Sequence, residues 1–372
     1  MAKEEIDKYL CLGLIPNFLL VKNDKIDLED FSIEQIDWIK IKDCFPDITP
    51  NQFIEYEYIK KPYFIVLREI NKNVKEDRKT LIPLDEPWKF YDLGLDHFKR
   101  VILLLNLFKP ASVPVVTSIG FFRWTSEDAQ YLTKHISANI DMNKYIDWGK
   151  ESPRHHYWLT GDESKKLIGF KKDIYPLLLK EEPSNKLHIA MEYFLEGCFK
   201  EANGNDEMAA LDFIIGLEAL YLEQEQELSY KFANRVAVLL GNGPERKDER
   251  KEFQAYAKEV YELRSKIVHG RLSKKDIREK PTSTKRKRIG KNFYSIKELL
   301  RISLLYFLSL HWNGLTRMNG SIKQNHLVIL NKIDSALFSK TDREQIMFKK
   351  KRFSLEIEID AEVRNDPKIK LT

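Results

Sequence analysis

Two short runs of β-branched and aromatic residues stand out early in the chain, Phe53-Ile54-Glu55-Tyr56-Glu57-Tyr58-Ile59 and Tyr63-Phe64-Ile65-Val66-Leu67-Arg68. Lys60-Lys61-Pro62 separates them, so the pattern predicts two strands joined by a turn. Val113 to Trp124 reads as a further strand. Before it, Phe98, Val101, Ile102, Leu105 and Leu107-Phe108 recur at helical spacing, and Lys109-Pro110 ends that helix. From about residue 185 the strand signals vanish and amphipathic segments follow one another, broken by Asn203-Gly204-Asn205 and Gly241-Asn242-Gly243-Pro244. Helices are expected at roughly 185–202, 206–224, 228–240, 246–269, 294–313 and 321–338. The fold class is therefore α+β: a mixed α/β domain over 1–180, then an all-α domain over 185–340, joined near Lys180-Glu181-Glu182-Pro183-Ser184. A basic tail over 341–372 carries Lys349-Lys350-Lys351-Arg352. It then alternates through Phe353, Leu355, Ile357 and Ile359 with polar residues between, which predicts a half-buried terminal strand.

Composition narrows the class without naming a function. Hydrophobic residues make up 43% and charged residues 32% of 372, enough apolar material for a core. The net charge of +5 is too small to diagnose a nucleic-acid partner until its distribution is known. Cys11, Cys44 and Cys198 have no C-x-x-C spacing, which argues against a disulfide framework or structural zinc and suits a reducing cytoplasm. Met1-Ala2-Lys3-Glu4-Glu5 lacks the apolar stretch of a signal peptide. The most apolar run, Leu299 to Trp312, is 14 residues long and contains Arg301, so a buried helix is expected and no membrane span. No phosphate-binding glycine loop, dinucleotide fingerprint or serine nucleophile elbow is present. His155-His156 have no accompanying ligand set, and His97, His135, His188, His311 and His326 read as isolated structural residues. No metal or other cofactor is expected.

The chemistry concentrates in Val260-Tyr261-Glu262-Leu263-Arg264-Ser265-Lys266-Ile267-Val268-His269-Gly270. This segment closes a helix, with Gly270 placed as the left-handed residue that ends it. Arg264 and His269 lie about 140° apart around the helix, so they do not share one stripe but can both rim a cleft at its end. A guanidinium can hold a phosphodiester and stabilise charge building on it. An imidazole can take or give a proton near neutral pH without a metal.

These residues resemble the HEPN nucleases, and within them the Apea-like branch, whose hallmark is an Arg followed after four to six residues by His. Two upstream segments match in order: Asp212-Phe213-Ile214-Ile215-Gly216-Leu217-Glu218-Ala219-Leu220 and Lys231-Phe232-Ala233-Asn234-Arg235-Val236-Ala237-Val238-Leu239-Leu240-Gly241. The resemblance covers about residues 185–315, and Ser265 after the arginine is common in that branch. It implies a HEPN helical bundle that dimerises around two Arg264 and two His269 and cuts RNA, transfer RNA included, through the ribose 2′-OH. It also implies a prokaryotic defence or toxin role, with an antitoxin or phage-derived trigger as a further partner.

Around this motif the sequence offers supporting residues. Between 271 and 291 ten Lys or Arg stand against Asp276 and Glu279, a local +8. Such a loop suits a phosphate backbone. Lys266, Arg271, Lys274, Lys275, Lys285, Arg286, Lys287 and Arg288 are the RNA-binding candidates. Glu218 and Arg235 lie in apolar surroundings and are expected to form a buried pair, with a secondary role in positioning Arg264. Tyr261, three residues before Arg264, is expected to pack, or else to stack on a base. The competing reading is a non-catalytic HEPN module that binds RNA, nucleotide or a partner protein, with His269 merely capping its helix.

Overall fold

The computed structural model describes residues 8–15, 18–20, 25–29, 31–35, 63–68, 87–109, 118–124, 129–135, 157–178, 185–202, 205–223, 227–241, 247–270, 287–290, 292–312 and 322–351. The chain forms two compact units, residues 1–175 and 176–372.

In the first unit β1 (Lys8–Ile15), β3 (Lys25–Asp27), β4 (Phe31–Gln35), β5 (Tyr63–Arg68), β6 (Ser118–Trp124) and β7 (Ala129–His135) build one sheet in the order β3-β4-β5-β1-β6-β7. Every neighbouring pair is antiparallel, and Leu12 on β1 lies opposite Val66 on one side and Gly120 on the other. Short β2 (Phe18–Leu20) pairs in parallel with β8 (Tyr157–Leu159). Helix α1 (Pro87–Phe108) opens on a proline, whose missing N–H is harmless at a first helical position. Its Phe98 ring lies against Gly13 of β1 so closely that a Cβ there would meet Cε1 at 2.7 Å. Glycine at this point lets the helix approach the strand. The Tyr157 hydroxyl donates to the Leu105 carbonyl at 2.7 Å, satisfying a phenol buried with α1.

Helix α2 (Gly161–Leu178) starts with a reciprocal cap: the Thr160 N–H donates to Glu163 Oε2 at 2.8 Å and the Glu163 N–H to Thr160 Oγ1 at 3.2 Å. The boundary between the units falls within this helix, before the expected linker. The apolar period through Ile174, Tyr175, Leu177 and Leu178 carries the helix past it. Residues 180–184, and the expected strand at 53–59, lie outside the described residues.

The second unit contains α3 (Asn185–Ala202), α4 (Asp206–Tyr221), α5 (Leu228–Leu240), α6 (Lys247–Val268), α7 (Ile296–Trp312), α8 (Ile322–Ser335) and α9 (Lys340–Lys351). Six of these meet the helices expected from hydrophobic period. Helix α4 is apolar nearly all round, and a helix of that kind belongs at the centre of a bundle. Two glycines allow close packing there. A Cβ at Gly197 on α3 would meet Phe213 Cε1 at 2.4 Å, and one at Gly216 on α4 would meet Leu300 Cδ2 at 2.7 Å.

Three expectations need correction. The all-α region is interrupted by a hairpin of β9 (Lys287–Ile289) and β10 (Asn292–Tyr294), which ends the basic stretch as paired strand rather than loop. Gly290 turns it with φ +60°, and the buried Ile289 together with the Phe253–Tyr294 ring contact (centroids 5.0 Å apart) anchors it on α6. The segment expected as a basic tail begins as α9, whose Ile346 is buried and whose Asp342 accepts from Lys332 at 2.7 Å. Residues 352–372, with the expected terminal strand, lie outside the described residues. Finally, Glu218 and Arg235 take different partners. Arg235 donates to both carboxylate oxygens of Asp334, at 2.8 and 2.7 Å, and to the Tyr221 carbonyl at 2.6 Å.

Arg235 is 2% exposed and joins α4, α5 and α8 in one charge-assisted cluster. Arg235→Ala leaves the buried end of that cluster without its donor and is expected to lower stability by about 3–5 kcal/mol in urea unfolding. A loss under about 1 kcal/mol would mean that the cluster does not hold these helices together.

Candidate functional site

Helix α6 ends as the sequence predicts. The His269 N–H donates to the Ser265 carbonyl at 3.1 Å, and the Gly270 N–H to the Ile267 carbonyl at 3.1 Å. Gly270 adopts φ +60°, and a Cβ there would meet nothing within 4 Å, so backbone conformation and not space demands glycine. Leu263 is buried and anchors the last turn, while Ser265, Val268 and His269 are exposed and Lys266 is half-buried. The His269 side chain makes no hydrogen bond or ion pair among the described residues.

Arg264 lies at the junction of this turn with α4. Its Nε sits 3.0 Å from Glu218 Oε2, with the side chains 39% and 17% exposed. The contact is an ion pair rather than an aligned hydrogen bond, since Nε is buried without a partner in hydrogen-bonding geometry. Only the Nε edge is engaged. Nη1 and Nη2 have no partner among the described residues, whereas Arg235 has all three nitrogens occupied. Arg264 thus presents a free pair of donor groups, backed by a carboxylate.

Burial raises the carboxyl of Glu218 above its ordinary range, and the Arg264 charge only partly opposes this. The phenol of Tyr261 is raised as well, by burial first and by the Glu218 charge second. Its ring packs against Phe232 of α5 with centroids 5.9 Å apart and a 42° tilt, in line with the packing role expected for it.

The basic candidates divide. Arg271, Lys274, Lys275, Lys285 and Arg286 lie outside the described residues. Lys287 is paired with Glu259 of α6, and its Nζ lies 5.6 Å from the centre of the Tyr256 ring, so its charge is already engaged. Arg288 is exposed, with Nε donating to the Gly290 carbonyl at 3.3 Å. Arg235 belongs to the α8 cluster and not to the Arg264 turn.

Comparison with family models, with curated proteins and with solved structures finds no match to this chain. Among the described residues no three His, Cys, Asp or Glu side chains gather as metal ligands, and no helix is long and apolar enough to cross a membrane.

The sequence placed Gly270 at the end of α6 and offered Glu218 either a pair with Arg235 or a part in positioning Arg264; the structure pairs it with Arg264, 46 residues away, although Arg235 is nearer in sequence. Sequence reasoning missed His326. That residue and His311 are not isolated: their rings stack at 5.9 Å, and His326 Nε2 lies 2.9 Å from the Leu220 carbonyl at the end of α4.

Removing the guanidinium strips Glu218 of the charge that favours its ionised form. In Arg264→Ala the Glu218 carboxyl is expected to titrate at still higher pH than in the wild type, read by carbon-13 NMR of the labelled carboxylate. An unchanged or lower midpoint would show that the two side chains do not interact in solution.

Proposed function

We propose that the helical unit is an Apea-like HEPN domain and that the protein is a metal-independent endoribonuclease acting through Arg264 and His269. The observation that carries this reading is the edge of Arg264 left unengaged among the described residues, five residues before an exposed His269 whose side chain has no partner among them. A structural arginine buries its donors on protein acceptors, as Arg235 does. Among the described residues Arg264 holds only Glu218, and its bidentate edge is left for an anion.

His269 takes the proton from a ribose 2′-OH, and that oxygen attacks the adjacent phosphorus. The bond to the 5′-oxygen breaks, the leaving oxygen gains a proton, and a 2′,3′-cyclic phosphate remains. Arg264 neutralises the charge that grows on the non-bridging oxygens. One histidine cannot serve both oxygens from one position, so a homodimer supplies the second as general acid. Ser265 and Tyr261 shape the same turn, and Glu218 holds the guanidinium from behind. RNA is the substrate because the nucleophile is a 2′-OH, and the basic stretch from Arg271 onward guides its backbone. Cytoplasmic action in prokaryotic defence, under an antitoxin or phage-derived trigger, follows from the same resemblance.

The test is incubation of purified protein with total and transfer RNA in EDTA, with analysis of the ends produced. Cleavage leaving 2′,3′-cyclic phosphate is expected, and His269→Ala and Arg264→Ala should each lower kcat by about 10²–10⁴-fold. RNA binding without cleavage, including in lysate from infected cells, would instead favour a non-catalytic module.

A further inference from the structure

Helix α4 ends on the buried residues Leu220, Tyr221 and Leu222, so its last carbonyls are largely shielded from water. Each must find a donor, and three helices provide them. The Tyr221 carbonyl accepts from Arg235 of α5 at 2.6 Å, and the Leu222 carbonyl accepts from Lys186 of α3 at 3.2 Å. The Leu220 carbonyl is met by His326 of α8. A carbonyl only accepts, so His326 Nε2 carries the proton and Nδ1 is left as a lone pair. That Nδ1 is buried without a partner, in a residue 1% exposed.

His326 lies between two aromatic rings of α7. Phe307 stacks on it at 5.3 Å and His311 at 5.9 Å, both close to parallel. The charges facing it are cationic: Lys186 from α3 and Arg235 from α5, with His311 itself becoming cationic when protonated. The carboxylates nearby are engaged elsewhere. Asp334 of α8 holds Arg235, Glu223 lies 3.7 Å from Lys186, and Asp342 of α9 holds Lys332. A proton added here gains no counter-charge.

Two residues before Leu220, on the same last turn, stands Glu218 with Arg264. We infer that α8 is a latch for the candidate site: His326, stacked with His311, holds the last turn of α4 in place and so positions the Glu218–Arg264 pair, and protonation of the stacked imidazoles releases it. His326 is a positioning residue that acts through α4. The effect on the Glu218–Arg264 pair stands on geometry alone, and its catalytic consequence rests on the nuclease reading.

Burial holds both imidazoles near a pKa of about 4, against an ordinary value of 6.5, and for His326 the His311 charge adds to this. The unfolded chain therefore binds more protons between those values. Stability is complete above about pH 6.5 and is lost as pH falls toward about 4.

The test uses the full chain labelled with nitrogen-15 arginine, with the Arg264 Nε–H signal assigned by its absence in Arg264→Lys. At pH 7.5 that signal should exchange slowly in the wild type and in His326→Gln, which keeps a donor for the Leu220 carbonyl. It should exchange at least tenfold faster in His326→Leu and in Asp334→Asn, with far-UV circular dichroism confirming that both are folded. Between pH 7 and pH 5 the wild-type Tm should fall by about 5–15 °C, and His326→Gln should remove roughly half of that fall. In RNA cleavage His326→Leu should lower kcat about tenfold with KM unchanged, and His326→Gln should restore it. Unaltered Arg264 exchange in both folded variants overturns the latch whether or not RNA is cut. Altered exchange in a wild-type background that cuts no RNA supports the latch and removes the nuclease reading instead.

Discussion

The second unit depends on how the C-terminal carbonyls of α4 are satisfied. A helix that is apolar nearly all round has to sit at the centre of the bundle, and its end is then largely shielded from solvent. An unpaired carbonyl there would cost about 1–3 kcal/mol. The chain answers with Lys186, Arg235 and His326, drawn from three helices spread over 140 residues of sequence. The Tyr221 hydroxyl, 2.9 Å from Ser303 Oγ, adds a fourth helix to the same point. One short turn thereby fixes the mutual placement of α3, α4, α5, α7 and α8.

The candidate site grows out of that turn. Glu218 is carried on it, and the carboxylate reaches across to the last turn of α6, where Arg264 meets it. Two arginines on one bundle differ in how far the protein engages them. Arg235 is wholly engaged by Asp334 and Tyr221, and removing it would leave acceptors stranded. Arg264, at a half-exposed position, has an open edge among the described residues, and an exposed His269 follows it five residues later. A carboxylate behind an arginine also lowers the cost of holding that charge in a partly desolvated place.

Local pattern made much of this legible. Residues 185–202 and 228–240 carry a helical period because each buries one apolar face, residues 206–221 are a long run apolar nearly all round, and the observed ends fall within a few residues of expectation. Gly270 was readable as the end of α6 because a left-handed residue after an apolar run has few other uses. The hairpin at 287–294 was hidden. Its strands are three residues each, too short for alternation to register, and α6 supplies the surface that orders them. The Lys287–Glu259 pair follows from that docking.

The sequence by itself determined six of the helices of the second unit, though not α9, as well as where α6 stops and that an arginine and a histidine close it. These are properties of neighbours within about four residues, where backbone geometry dictates who meets whom. Only the tertiary structure decided that Glu218 faces Arg264, that Arg235 belongs to Asp334, and that His326 stacks on His311 to hold α4. Polar partners 46, 99 and 106 residues apart are chosen by how buried helices pack and by which carbonyls that packing strands. Nothing in the spacing of the residues along the chain records that choice.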